Sequence, residues 1–210
     1  MKYENTGRKE LFMLKRVLIL LSALSMLLIV GCSKAPEAEM QSAETAFQAL
    51  TTAEADQYAP EAYRTAMDTL QAAQEAKAEQ DGKFALFRKY GKSKALFISA
   101  QQLATNAASE AAAAKERTRV EVEGMLAQMT ARIDSTTTAL AKAPKGKGSA
   151  ADIELMKSEL AAVNTSFADA QTNYNEGKYL VAKTKLEVIG QQLQKIMGDI
   201  EAAKAKKAGR

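Results

Sequence analysis

The chain has 210 residues, 47% of them apolar and 6% aromatic, with 29 Lys and Arg against 25 Asp and Glu. It contains no histidine, no tryptophan and one cysteine. That inventory excludes a disulfide within the chain, a His/Cys zinc site and every nucleophile that depends on a histidine base.

Roughly a fifth of the residues are alanine and only three are proline. Alanine loses no side-chain entropy on becoming helical, and few β-branched runs compete with it. The expected class is therefore all-α: an elongated antiparallel helical bundle with long helices and a C-terminal coiled-coil-like helical hairpin.

The first segment is an export signal in layout. Arg8, Lys9, Lys15 and Arg16 form a positive region, and Val17 to Val30 is an apolar run of 14 residues. This is shorter than the ~20 residues a bilayer-spanning helix needs, and small Gly31 then precedes Cys32. Ile29-Val30-Gly31-Cys32 resembles the lipobox of bacterial lipoproteins. The resemblance implies diacylglyceryl transfer to the Cys32 thiol, cleavage before Cys32 and acylation of the new amino group. Residues 1–31 are then a removed signal peptide, and a start at Met13 instead of Met1 leaves the same mature product. Their loss takes away five cations and two carboxylates, so the net charge falls from +4 to about +1. The sequence pI of about 9.0 comes partly from this segment and is no argument for nucleic-acid binding. Ser33 stands where enteric-type retention at the inner membrane typically uses Asp. The implied location is the outer membrane, facing the periplasm; the outer face of the cytoplasmic membrane is the alternative.

Residues 32–36 are a lipidated tether. A first helix is expected from Glu37 to about Tyr58, with Ala43, Phe47, Leu50 and Ala53 on one stripe. Pro60 suits the first turn of a second helix running to Gln80, with Tyr63, Ala66, Leu70 and Ala73 inward. Asp81-Gly82-Lys83 reads as a turn in which glycine supplies positive φ. From Phe84 the pattern is helical as far as Lys142, with a bend or break at Gly91 as one option. Lys92 to Lys142 as one helix would be about 75 Å long, which predicts a rod-like architecture. Its seam begins with Leu96, Ala100, Leu103 and Ala107 and continues with Val122, Leu126, Met129, Ile133, Thr136 and Leu140. Residues 37–142 are thus expected to form one Ala-rich helical unit with a long third helix.

Residues 143–149 form the linker, in which Pro144, Gly146 and Gly148 stop one helix and Ser149 with Asp152 caps the next. Ile153, Met156, Leu160, Val163, Phe167, Ala170 and Tyr174 make one apolar seam. After Glu176-Gly177-Lys178, a second follows: Tyr179, Ala182, Leu186, Ile189, Leu193, Ile196 and Ile200. Two such seams joined by a tight turn predict an antiparallel hairpin over residues 150–203. Residues 204–210 are a basic tail, expected to fray, with anionic headgroup or cell-wall contact as the alternative. A weak internal repeat pairs Asp81-Gly82-Lys83-Phe84 with Glu176-Gly177-Lys178-Tyr179, and Leu96 to Leu103 with Leu186 to Leu193. The spacer is longer in the first copy, which a longer helix would absorb; chance similarity between helix-prone sequences is the competing account.

The lipobox, the Ala-rich hairpins, the Ala59-Pro60-Glu61-Ala62-Tyr63 helix start and the Gly-Lys-[Phe/Tyr] turns together resemble a family of alanine-rich envelope lipoproteins. Its helical domain is known only as a domain of unknown function, and the similarity covers roughly residues 32–118. The resemblance implies outer-membrane association and a periplasmic location. Some members carry a peptidoglycan-binding domain of the outer-membrane-protein-A type, for which this chain has no room. The Glu176 to Ala182 stretch also resembles tetratricopeptide helix pairs, without the rest of that consensus.

Chemistry-bearing candidates are few, and no cofactor or metal is expected. Glu121 with Glu123, and Asp152 with Glu154, diverge around a helix and read as solvated charges. Gly146-Lys147-Gly148-Ser149 is similar to phosphate-cradling loops but lacks their spacing and a preceding strand. The stretch Phe84 to Lys94 combines four cations with three aromatics. A partner-binding reading assigns Phe87, Arg88, Lys89, Tyr90 and Lys92 to one surface, since Phe87 and Tyr90 share a face if that segment is helical. The competing reading buries the rings. The expected function is a lipid-anchored, non-enzymatic periplasmic scaffold, spacer or interaction module. Its partners would be the membrane, through the anchor, and an envelope protein or the cell wall. The alternative is a chaperone or assembly accessory gripping client envelope proteins, which would expose an apolar patch along the Ala-rich helix.

Overall fold

The computed structural model describes residues 34–144 and 150–208. The signal segment, Cys32, Lys145 to Ser149 and the last two residues lie outside the described residues, and with them the lipidation site, most of the linker and the Ser149 cap. The described residues form helices α1 (Glu37–Thr52), α2 (Ala55–Tyr58), α3 (Pro60–Asp81), α4 (Gly91–Ala141), α5 (Ala150–Asn175) and α6 (Tyr179–Ala208). A single 3₁₀ turn at Ala85–Phe87 precedes α4. No strand occurs among them, and no helix is long and apolar enough to cross a membrane.

Two compact units divide the chain, Met1–Ala111 and Ala112–Arg210. The division falls inside α4 rather than at the Pro- and Gly-containing linker. In the first unit, Ala43 of α1, Ala73 of α3 and Phe97 of α4 form one buried cluster. Leu50, Ala55, Ala59 and Ala66 form another with Ala104, Ala107 and Ala111. Residue numbers rise along α1 and α4 while they fall along α3, so α3 runs antiparallel to both neighbours. Most of these buried residues are alanine, which lets helix axes approach to the near end of the ~8–10 Å range. Leu50 and Phe97 are the only large apolar side chains fully buried in this unit among the described residues.

Two expected boundaries change here, and one turn closes differently. The first helix does not reach Tyr58: it ends at Thr52, and Glu54 takes a left-handed conformation with φ of 54° before α2 begins. Thr51 and Thr52 turn their hydroxyls back to the carbonyls of Phe47 and Gln48, the same bond that Thr45 makes within the unbroken helix. No Gly or Pro marks the break. Gly82 ends α3 as expected but not by positive φ; it sits at φ −70° and donates to the Ala78 carbonyl at 3.1 Å. Residues 84–90 are not helical, whereas Gly91–Ala141 is a single helix of 51 residues.

In the second unit the hairpin seams are buried as their periodicity requires. Ile153, Met156, Leu160, Val163 and Ala170 of α5 meet Ala182, Leu186, Ile189, Leu193, Ile196 and Ile200 of α6. The same cluster contains Val122, Met129, Ile133 and Leu140 of α4, so the core belongs to three helices rather than to the hairpin alone. Ala143, expected in the linker, is buried in it too. The α5–α6 turn closes with Gly177 at φ 78°. Lys178 N–H donates to the Asn173 carbonyl at 2.9 Å and Gly177 N–H to the Tyr174 carbonyl at 3.0 Å. This is the paired-bond helix stop in which glycine avoids a Cβ clash. Arg132 reaches across from α4 to donate to the Gly190 carbonyl at 2.9 Å. α6 continues through residues expected to fray, as far as Ala208.

The two sequence-similar turns differ in structure. Gly82 and Gly177 have opposite signs of φ, and the longer spacer is a loop rather than added helix. Leu186 and Leu193 are fully buried, whereas Leu96 and Leu103 are only half-buried beside fully buried Phe97, Ala100 and Ala104. The buried face is rotated by one residue between the copies.

Candidate functional site

The stretch from Lys83 to Lys92 is the only place where the described residues combine an irregular backbone, several cations and exposed rings. Its geometry divides the residues expected to act together. Tyr90 is 4% exposed, and its hydroxyl donates to Asp81 Oδ1 at 2.5 Å. Asp81 Oδ2 pairs with Lys77 Nζ at 2.7 Å. The Lys77 ammonium, and after it the Tyr90 hydroxyl, hold the Asp81 carboxyl below the ordinary aspartate range. The same hydrogen bond to Asp81 pushes the Tyr90 hydroxyl above the ordinary tyrosine range. Tyr90 also starts α4: its carbonyl accepts from Lys94 N–H at 2.8 Å and from the buried Ser93 hydroxyl at 3.0 Å.

Arg88 serves the fold as well. Its Nη2 donates to the Asp81 carbonyl and its Nε to the Lys83 carbonyl, both at 2.9 Å. The Asp81 carbonyl ends α3 and the Lys83 carbonyl lies two residues beyond it, so neither has a helical partner, and a guanidinium there also suits the helix dipole. Lys89 N–H donates to Gln80 Oε1 at 3.0 Å. The loop is therefore tied at Arg88, Lys89 and Tyr90 to the last turn of α3.

What it presents outward is different. Phe84 and Phe87 are 70% and 71% exposed, Leu86 is exposed, and the two rings stand 6.4 Å apart at their centroids, tilted by 50°. Phe87 and Tyr90 do not share a face, because the 3₁₀ turn and the extended Arg88 replace the helix that would align them. The exposed apolar group is Phe84, Leu86 and Phe87; Lys89 and Lys92, close in sequence, are exposed as well, while Tyr90 and Arg88 are structural. Phe84 and Leu86 were absent from the sequence-based surface. Only their position in a loop, with no helical face to bury them, distinguishes them from core residues.

Three of the four candidate carboxylates, all but Asp152, sit in ion pairs. Glu121 pairs with Lys183 at 2.7 Å and Glu123 with Arg119 at 3.1 Å. Arg119 also holds Glu116 at 2.8 Å and donates to the Tyr174 hydroxyl at 3.3 Å. Glu154 pairs with Lys157, and Lys204 with Glu201. No group of three or more potential metal-ligating residues occurs among the described residues. The large apolar side chains exposed on α4 are Ile98 and Val120, 22 residues apart, so they form no continuous stripe. The phosphate-loop candidate Gly146 to Ser149, and Cys32, lie outside the described residues.

No family model, no curated protein and no solved structure matches the chain.

Proposed function

We propose that this protein is exported, acylated at Cys32 and held at the periplasmic face of the outer membrane as a non-enzymatic helical scaffold or interaction module. The observation that carries the reading is the apolar run Val17–Val30, preceded by Lys15 and Arg16 and closed by Gly31-Cys32. Several acyl chains on one residue anchor a protein stably, whereas a single chain holds it only marginally. The helical units support a structural role, because their buried apolar side chains close compact cores and several surface charges pair between helices, as Lys183 does with Glu121 and Lys195 with Glu159. The tied loop with neighbouring outward rings favours an interaction module over an inert spacer, since contiguous exposed apolar groups mark interaction surfaces.

Mass spectrometry of protein extracted from native membranes tests the anchor. The expected N-terminus is Cys32 carrying thioether-linked diacylglycerol and an amide-linked acyl chain. An unmodified Cys32, or an intact Met1 or Met13 in the mature protein, refutes it. Density-gradient fractionation tests the outer-membrane assignment separately.

A further inference from the structure

Three features converge on one end of the first unit. Residue numbers along α1, α3 and α4 place the start of α1, the end of α3 and the start of α4 together. Lys94 Nζ of α4 meets Glu39 Oε1 of α1 at 2.7 Å, and the charge of Glu37 acts on Lys77 of α3. The Phe84–Tyr90 loop joins α3 to α4 at this end. The chain enters the fold here as well, through exposed Lys34 and buried Pro36. Cys32 is two residues before Lys34, and two residues extend at most ~7 Å. Any lipid carried by Cys32 is therefore tethered to the end of the bundle that displays Phe84, Leu86 and Phe87.

Charge at this end has one sign in excess. Lys77 pairs with Asp81, Lys83 with Glu79 and Lys94 with Glu39. Beyond those pairs the end carries Lys34, Arg88, Lys89 and Lys92 against Glu37. Two exposed phenylalanines and a leucine at an end with excess cations suit the boundary between anionic headgroups and acyl chains. The rings lose water there while the cations meet the negative charge of the headgroups. A protein partner would need a complementary hollow lined with carboxylates; a bilayer already supplies both the apolar layer and the negative charge.

We propose that the Phe84–Phe87 turn is an interfacial wedge that seats Phe84, Leu86 and Phe87 in an anionic bilayer surface, with Lys89 and Lys92 at the headgroups. The first unit then stands on the membrane by its loop end, with α1, α3 and α4 directed away from it. The wedge rests on the Cys32 anchor only for which membrane it meets. The bonds from Arg88, Lys89 and Tyr90 to the end of α3 serve this purpose, since a loop fixed in advance loses little entropy on seating.

The chain lacks tryptophan, so one introduced indole reports its own surroundings. The full chain carrying Phe87→Trp is purified from membranes, its N-terminus identified by mass, and placed in vesicles of three parts phosphatidylethanolamine to one part phosphatidylglycerol containing brominated lipid. The control is Thr52→Trp, exposed in the last turn of α1 and about 22 Å along the helix from Glu37. Circular dichroism checks that both are folded, and Phe84→Trp serves as a second reporter at the wedge. Expected are blue-shifted, strongly quenched emission at positions 87 and 84 and unquenched emission at 52. Lys89→Glu with Lys92→Glu should reduce the quenching several-fold. Quenching with an unacylated Cys32 refutes the anchor and keeps the wedge. An acylated chain with position 87 as unquenched as position 52 refutes the wedge and keeps the anchor. An unacylated, unquenched chain refutes both. Crosslinking of position 87 to a protein in native envelopes, without quenching in vesicles, also overturns the wedge in favour of a protein partner.

Discussion

Leu193 tests whether the second unit is held by a shared three-helix core. The side chain is fully buried on α6, in the cluster that α4, α5 and α6 build together. Leu193→Ala removes about three buried carbon groups, worth roughly 2.4 kcal/mol at ~0.8 kcal/mol each. A residual void of about 60 Å³ would add ~1.4 kcal/mol at 24 cal/mol per Å³ if the neighbours did not move. Relaxation recovers part of this, so the expected cost is about 2.5–4 kcal/mol. For a unit near 100 residues each kcal/mol moves the midpoint by ~4–8 °C, so the transition of this unit should fall by more than about 10 °C. The matched control is Lys157→Ala, an exposed position whose loss should stay within about ±0.5 kcal/mol. Thermal melts followed by circular dichroism, with amide exchange to locate the destabilised helices, provide the readout. The α4 contribution is tested by truncation. A fragment starting at residue 112 keeps Val122, Met129, Ile133 and Leu140 and should melt cooperatively; one starting at residue 149 lacks them and should lose much of its helicity. Equal, small effects of Leu193→Ala and Lys157→Ala, or identical melts of the two fragments, would refute the shared core.

Other expectations follow from single positions. Gly124 lies within α4 with nothing within 4 Å of an added Cβ, so Gly124→Ala should raise stability by about 0.8–1 kcal/mol in a thermal melt. Gly177→Ala should lower it by about 1 kcal/mol, because φ of 78° is unfavourable for any residue with a Cβ. Phe87→Ala should leave the melt unchanged within about 0.5 kcal/mol, whereas Tyr90→Ala should cost several kcal/mol, the usual range for a buried aromatic. The Asp81 carboxyl is held below its ordinary range in the fold, so its contribution is complete above that range and is lost as pH falls through the lowered value. Tyr90 is raised, so its contribution is complete below the ordinary tyrosine range and is lost at more alkaline pH. Stability of Asp81→Asn measured against pH should show a flatter acid limb than the wild type; an identical limb would show that the pair does not matter.

The all-helical class and the hairpin seams are legible in the amino-acid pattern alone. From Ile153 to Ile200 the alternation of three and four residues, carried by large aliphatic side chains, leaves one face per helix that water disfavours. The pattern also identified the helix start at Pro60 and the inward positions Ala43, Leu50, Ala66 and Ala73. Periodicity reports which face is buried but not what covers it, so it took the packed helices to show that α4 completes the hairpin core and that the division between the two compact units falls within a helix. The tertiary structure also decided the fate of residues 84–90. Read as a helix, the segment aligns Phe87 with Tyr90. In the fold, the uncapped carbonyls at the end of α3 draw in Arg88, and Asp81 captures the Tyr90 hydroxyl. Those bonds, spanning five to nine residues and falling outside helical spacing, bury one ring and leave Phe84 and Phe87 facing outward.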